Sequence, residues 1–371
     1  MRFLIISHTP HIQQNNLLYA YAPYVSEMNL WLKYVDEVEI IAPRIKEEIS
    51  NIEVSYIHNN IHLNNVSSIT FTSFKNAFLS ILKLPVLLFT IFKACKKADH
   101  IHLRCPGNIG LLGCFVQILF PKKIKTAKYA GNWNPISKQP LSYKLQKWIL
   151  SNTFFTKNIK VLVYGNWKNQ TKNIIPFFTA SFNNSEIEYV IERNYHTKLN
   201  FVFVGSLVKG KRPFLTIQII EALHNQGKSV SLELYGDGVL KSELQEYINN
   251  NNLDKVITLK GNQKKEAIKN ALRQSHFLIL PSKSEGWPKA IAEAMFFGCI
   301  PIATRISCIP FMLNHGKRGV IIEPNVENAV NNIDKYLKNN DDLKVMSKLA
   351  SKWAQNYTLD VFETAISKFL N

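Results

Sequence analysis

Residues Phe277–Thr304, FLILPSKSEGWPKAIAEAMFFGCIPIAT, decide the fold. The stretch opens on Phe277-Leu278-Ile279-Leu280, an apolar run short enough for a strand buried on both faces. Pro281 and Ser282 end it, and a polar loop, Lys283-Ser284-Glu285-Gly286, leads to Pro288. Proline suits a first helical turn, because the N–H it lacks would be unpaired there. Ala290, Ile291, Ala294, Met295 and Phe297 then recur at helical spacing, with Gly298 as the expected stop. Ile300-Pro301-Ile302-Ala303 starts another buried strand. The stretch therefore predicts a strand–loop–helix–strand unit of a parallel sheet.

Its chemistry is expected at the helix start. Free N–H groups and the helix dipole make that end an anion site, and Gly286 lets a ligand approach the backbone closely. Glu285 precedes the helix, and Glu293 lies about 7–8 Å along its axis from Pro288. Two carboxylates flanking an anion site suit a ligand with hydroxyls on both sides of a phosphate, the shape of a nucleotide sugar. Taken alone, the pair reads more readily as two solvated surface glutamates.

The pair has company. Glu285-Gly286, Glu293-Ala294-Met295, Gly298 and Pro301-Ile302-Ala303-Thr304 resemble the signature of the retaining glycosyltransferases of family four, the group 1 transferases. In that family two glutamates so spaced bind the donor. The resemblance implies the α/β GT-B fold, two Rossmann-like domains with parallel sheets facing across a cleft. It further implies an N-terminal acceptor-binding domain over 1–183, a nucleotide-sugar domain over 184–350 and a C-terminal helix over 351–371 returning to the first domain.

Composition agrees with two cores in 371 residues, 46% of them hydrophobic. Five cysteines without a Cys-x-x-Cys pair argue for a reducing compartment and against a zinc site. The apolar part of the first residues is too short for a signal peptide, so a cytoplasmic location is expected. The net charge of +18 is lopsided: residues 1–180 hold 21 Lys+Arg against 8 Asp+Glu, and Asp99 is the only acid between Val54 and Ala180. Such a half suggests an anionic partner: a membrane surface, nucleic acid or a phosphorylated substrate. The partners expected are a nucleotide sugar and a glycan or lipid-linked acceptor, without nucleic acid, and an anionic membrane surface, the inner face of the cytoplasmic membrane, stays open as a further one.

In chain order, Phe3–His8 reads as a first buried strand, and Phe201-Val202-Phe203-Val204-Gly205-Ser206 repeats it where a second domain would start. The loop after the first strand is usually Gly-rich in the family; here Gln13-Gln14-Asn15-Asn16 carries no glycine, and His11 is either an acceptor contact or a turn residue. Ala77–Ala94 is the most apolar segment, read as a core helix or, through Lys93, Lys96 and Lys97, as a helix lying on an anionic membrane. The strand Ile101–Arg104 ends with His102 and Arg104, which look like the family's acceptor-side pair. Asn132 and Trp133 follow another strand, as a sugar-stacking platform or a packed tryptophan. The domains are expected to cross over at Phe182-Asn183-Asn184-Ser185.

In the second half, Gly205–Lys211 resembles the family's diphosphate loop, with Lys211 on its lysine and Ser206 in place of its arginine unless Lys209 or Arg212 substitutes. Gly236-Asp237-Gly238 is a turn near the nucleotide, and Gly261-Asn262 leaves a strand whose exit lies by the base in the family. The donor set is thus Gly205, Ser206, Lys211, Gly236, Gly261, Asn262, Glu285, Gly286, Trp287, Pro288, Lys289 and Glu293, with Glu285, Lys211 and His102 as catalytic candidates. No Asp-x-Asp occurs, so neither a metal nor another cofactor is expected. The expected activity is sugar transfer from a nucleotide-diphosphate donor to a glycan or lipid-linked glycan. The rivals are a sugar-nucleotide epimerase and a non-catalytic polyanion- or membrane-binding protein on a degenerate transferase fold.

Overall fold

The computed structural model describes residues 1–50, 52–69 and 74–370. They form two compact units: Met1–Phe178 with the residues from Phe362 onward, and Thr179–Val361.

The first unit runs β1 (Arg2–Ile6), β2 (Ile12–Gln14), β3 (Leu17–Tyr21), α1 (Ala22–Leu32), β4 (Glu37–Ala42), β5 (Glu53–Ser55) and β6 (Ile61–Asn65). It continues through α2 (Phe74–Lys97), β7 (His100–Cys105), α3 (Asn108–Val116), β8 (Ile124–Tyr129), α4 (Leu141–Ser151), β9 (Ile159–Tyr164) and β10 (Ile174–Phe177). Seven strands make a parallel sheet in the order β10-β9-β8-β7-β1-β4-β6. Leu4, Ile6, Ile101, Leu103 and Ala127 meet Ile91, Ile109 and Ile149 on one face. On the other, Phe3 stacks against Trp31 and His102.

The glycine-free loop after β1 folds as a hairpin. β2 pairs antiparallel with β3, and Asn15 and Asn16 take φ of 49° and 61° between them. Asparagine tolerates this left-handed region better than other side-chain-bearing residues, so the Asn-Asn pair turns the chain without glycine.

The second unit runs β11 (Leu199–Val204), α5 (Pro213–Asn225), β12 (Val230–Tyr235), α6 (Lys241–Asn250), β13 (Ile257–Gly261), α7 (Lys265–Gln274) and β14 (Phe277–Leu280). After these come α8 (Lys289–Phe296), β15 (Ile300–Thr304), α9 (Ile309–Met312), β16 (Val320–Ile322), α10 (Val326–Leu337), α11 (Asn340–Ala354) and the first residues of α12 (Leu359–Ser367). Its parallel sheet has the order β13-β12-β11-β14-β15-β16. Phe277–Leu280 and Ile300–Thr304 are buried at every position, which explains their unbroken apolar runs. Gly298, after α8, has φ of +70° and makes the expected stop.

Two boundaries differ from the sequence expectation. The change of unit comes before Phe182–Ser185, because that segment is anchored to the second unit: Phe182 packs on Phe296 and Phe297 at 4.8 and 4.9 Å, and the Asp360 carboxylate accepts from the Asn184 N–H at 2.6 Å. Residues 351–371 are likewise not one helix. α11 ends at Ala354, a turn follows, and Thr358 Oγ1 accepts from the Val361 N–H to open α12. From Phe362 on, the chain belongs to the first unit, where Phe362 packs on Phe177 at 5.4 Å.

Candidate functional site

In open parallel sheets, ligands bind beyond the carboxyl ends of the strands, where the strand order reverses. In the second unit the chain builds outward from β11 through β12 to β13, then returns to β14 on the other side. The reversal lies between β11 and β14. The loops leaving these strands carry Gly205–Lys211 and Pro281–Pro288. They meet there: Lys211 Nζ donates to Glu285 Oε1 at 2.5 Å. The glutamate side chain is 8% exposed and the lysine 29%, so the pair lies at the lip of the site with its anionic end inward.

Backbone contacts hold both loops. The Lys283 N–H donates to the Gly210 carbonyl at 2.8 Å, and Arg212 donates to the carbonyls of Pro281 and Ser282. The Gly286 carbonyl accepts from Ser307 Oγ and Cys308 Sγ, both at 3.2 Å. Pro288 caps α8 one residue before its first turn, so Lys289 opens the helix and its leading N–H groups have no carbonyl within the helix. Glu293 lies on α8 and accepts from Ser181 Oγ at 2.5 Å. The Trp287 ring is buried against Trp353 and Tyr357, part of the packing beneath the loop rather than a surface for a ligand.

The Gly236-Asp237-Gly238 turn supports the β11 loop directly. The Gly205 N–H donates to Tyr235, the Leu207 N–H to Asp237 and the Gly236 N–H to Gly261. Gly236 has φ of +138°, and a Cβ there would lie 2.0 Å from the Gly205 carbonyl oxygen. Gly236→Ala is therefore expected to cost about 1–3 kcal/mol of stability, visible as a lower melting temperature. An unchanged melting temperature would mean that the two loops can separate freely. Ser206 and Asn262 are exposed.

The first unit treats its candidates differently. His11 is fully buried, its Nδ1 2.8 Å from the Thr9 carbonyl and its Nε2 2.9 Å from the Tyr56 hydroxyl. Burial pulls its pKa down to about 4, and both ring nitrogens are engaged by Thr9 and Tyr56, as for a residue that holds the turn. His102 is also corrected. It lies mid-strand, fully buried, with Nδ1 2.8 Å from Thr126 Oγ1 and its ring against Trp31 at 4.8 Å. Burial, then the Arg104 charge, holds it well below the usual imidazole range. The Arg104 guanidinium is 2.5 Å from the buried Glu27 carboxylate and lies over the Tyr24 ring. Trp133 is packed, edge-on to Tyr129 at 4.9 Å, with Nε1 donating to Gln170; half-buried Asn132 turns the chain by accepting from the Asn134 N–H.

His8 was missed. The strand order of the first sheet reverses between β1 and β7, and His8 leaves β1 there. A Cβ on Gly107, at the β7 exit, would lie 2.3 Å from its Nδ1, so only glycine admits the ring. Partial burial and then Arg104 lower its pKa. Its signal in sequence was simply its place just past the first apolar run.

Residues 185–353 match the family Glycosyl transferases group 1. The match covers most of the second unit, which is similar to that family. The uncharacterized glycosyltransferase MJ1178 of Methanocaldococcus jannaschii is 30% identical over 161 residues, 43% of this chain. A poly(ribitol-phosphate) alpha-N-acetylglucosaminyltransferase of Staphylococcus aureus is 25% identical over 291 residues, 77% of this chain. The chain spans about half the length of these relatives, 43% and 52% respectively. The structure of Anabaena HepE in complex with UDP and glucose superposes over 100% of this chain and 99% of its own, with a TM-score of 0.67 at 13% identity. At that identity the likeness concerns the fold, and it establishes the GT-B architecture expected from the sequence.

Within the matched residues, the arginine replaced by Ser206 has no stand-in at Arg212, whose guanidinium is bound to the β14 exit loop. Lys209 is exposed beside the loop and remains the one candidate. Among the described residues, no three His, Cys, Asp or Glu side chains cluster as metal ligands.

Proposed function

We propose that the chain is a retaining glycosyltransferase, moving a sugar from a nucleoside-diphosphate donor to a glycan or lipid-linked glycan in the building of a cell-surface polysaccharide. The observation that carries this reading is the Lys211–Glu285 contact, placed at the strand-order reversal beside the start of α8. It joins a cation for the diphosphate to a carboxylate for sugar hydroxyls. The relative named for poly(ribitol-phosphate) favours a surface polymer as acceptor, and HepE was seen with UDP and glucose.

In this reading Lys211 and the leading N–H groups of α8 stabilise the charge that develops on the diphosphate as the glycosidic bond breaks. Glu285 holds sugar hydroxyls and Glu293 the ribose. The acceptor oxygen bonds to the anomeric carbon on the face the diphosphate leaves, and the acceptor proton passes to the departing phosphate oxygen. The other donor-lining positions are Gly205, Ser206, Gly236, Gly261, Asn262, Gly286, Lys289 and the backbone at Trp287 and Pro288. The five cysteines are free and buried, which suits work in a reducing cytoplasm.

Incubation with a panel of nucleotide sugars tests the proposal. Released nucleoside diphosphate that rises on adding acceptor supports it; epimerised donor, or no turnover of any donor, overturns it. Because the sequence has no Asp-x-Asp, activity should survive EDTA. Complete loss in EDTA, restored by Mg²⁺ or Mn²⁺, would show that a metal rather than Lys211 balances the diphosphate.

A further inference from the structure

α2 has two faces, and both are apolar. Leu87, Ile91, Ala94 and Cys95 are buried in the core of the first unit. On the opposite side Phe78, Ile81, Leu82, Val86 and Phe89 are exposed by 55–69%. Only 28% of the window Phe78–Lys97 is buried, although its mean hydropathy is 1.9. A soluble helix normally turns charge outward. Here apolar side chains face out for most of the length, and Lys93, Lys96 and Lys97 follow them at the C-terminal end.

The feature continues across its neighbours. α2 packs beside α3, and α3 beside α4. Phe115 and Leu119, on and just after α3, are 42% and 65% exposed. Trp148 on α4, together with Phe154 and Phe155 just past it, is exposed as well, and Trp148 and Phe155 lie 6.1 Å apart. Lys83, Lys122 and Lys144 are exposed on the same three helices and the turn after α3. The whole span from Val54 to Ala180 has one acid, Asp99, among its basic residues.

We propose that this α2–α3–α4 layer beds into the headgroup region of an anionic lipid bilayer, with α2 lying along the surface. A helix crossing the bilayer would need lipid or apolar protein around its whole circumference, whereas the buried line of α2 is part of a soluble core. A second copy of this chain is disfavoured, because a two-fold contact would set each cationic layer against its own like. An acidic protein would answer the lysines but leaves the broad apolar strip without a partner. A lipid surface answers both: acyl chains take up the phenylalanine and aliphatic side chains, lysines reach the phosphates, and tryptophan sits at the boundary. In the proposed function this places a lipid-linked acceptor close to the enzyme, but the docking itself does not depend on catalysis.

The experiment is co-sedimentation of the full chain with vesicles of phosphatidylcholine alone or mixed equally with phosphatidylglycerol, over a salt series. Binding is expected on the anionic vesicles, falling as salt rises. Val86→Asp with Phe89→Asp should lower partitioning at least about tenfold. Lys93→Glu with Lys96→Glu should remove most of the salt-sensitive part. All four positions are exposed, and unchanged melting temperatures would exclude unfolding. Equal uptake by neutral vesicles, or full binding by the Val86/Phe89 variant, overturns the proposal. So does a solution dimer that this variant dissociates while vesicles take up nothing. Donor turnover measured without lipid keeps the two readings apart: vesicle binding without turnover of any donor sinks the transferase and leaves the docking face standing.

Discussion

Replacing Lys211 with alanine is expected to lower donor affinity or turnover about 10- to 150-fold, the worth of one charge-assisted hydrogen bond of roughly 1.5–3 kcal/mol. Folding should be nearly intact, since the lysine is 29% exposed and one partly screened ion pair adds little to stability. The effect should extend to the bare nucleoside diphosphate, because the interaction lost is with phosphate rather than sugar. The 2.5 Å contact adds a second expectation. Lys211 also orients Glu285, so Lys211→Ala and Glu285→Gln should not be additive, and a double-mutant cycle should show coupling. Wild-type kinetics for Lys211→Ala would reduce the residue to a surface cation. Full additivity would mean that the pair acts as two independent groups.

The second unit was largely legible because its central strands are covered on both faces and therefore read as unbroken apolar runs. Phe277–Leu280 and Ile300–Thr304 follow directly from that physics, as does Gly298 closing α8. The Lys211–Glu285 pairing was not legible, since 74 residues separate the partners and only the strand order brings them together. The first unit hid more. The strand His100–Cys105 alternates polar with apolar residues and reads as half exposed, yet every position is buried. His100 and His102 both share the Thr126 hydroxyl at 2.8 Å, and Arg104 finds Glu27 from α1. Buried polar groups satisfied by distant partners defeat a pattern that equates polarity with exposure. α2 allowed two readings, a core helix or one lying on a membrane: its inner line, Leu87, Ile91, Ala94 and Cys95, is in the core, while Phe78, Val86 and Phe89 are exposed.

The two glutamates of the donor site should separate cleanly by what each variant fails to bind. Glu293 lies on α8 beyond its N-terminus, held by Ser181, and is assigned the ribose. Glu293→Gln should weaken bare nucleoside diphosphate and full donor alike, by about three- to tenfold, a uniform loss seen mostly in KM. Glu285 sits in the loop ahead of the helix, its carboxylate against Lys211, and is assigned the transferred sugar. A glutamine there still offers an oxygen to Lys211, so the cation stays in place for the diphosphate. Bare nucleoside diphosphate should then bind nearly as before. Turnover should fall about 10- to 150-fold, because charge-assisted contacts that position the sugar matter most as its bond breaks. Calorimetry with the bare nucleoside diphosphate, beside steady-state kinetics on both variants, decides the matter. Should Glu285→Gln weaken the bare nucleotide as much as Glu293→Gln does, the sugar does not lie at Glu285, and the donor runs through the site in another direction.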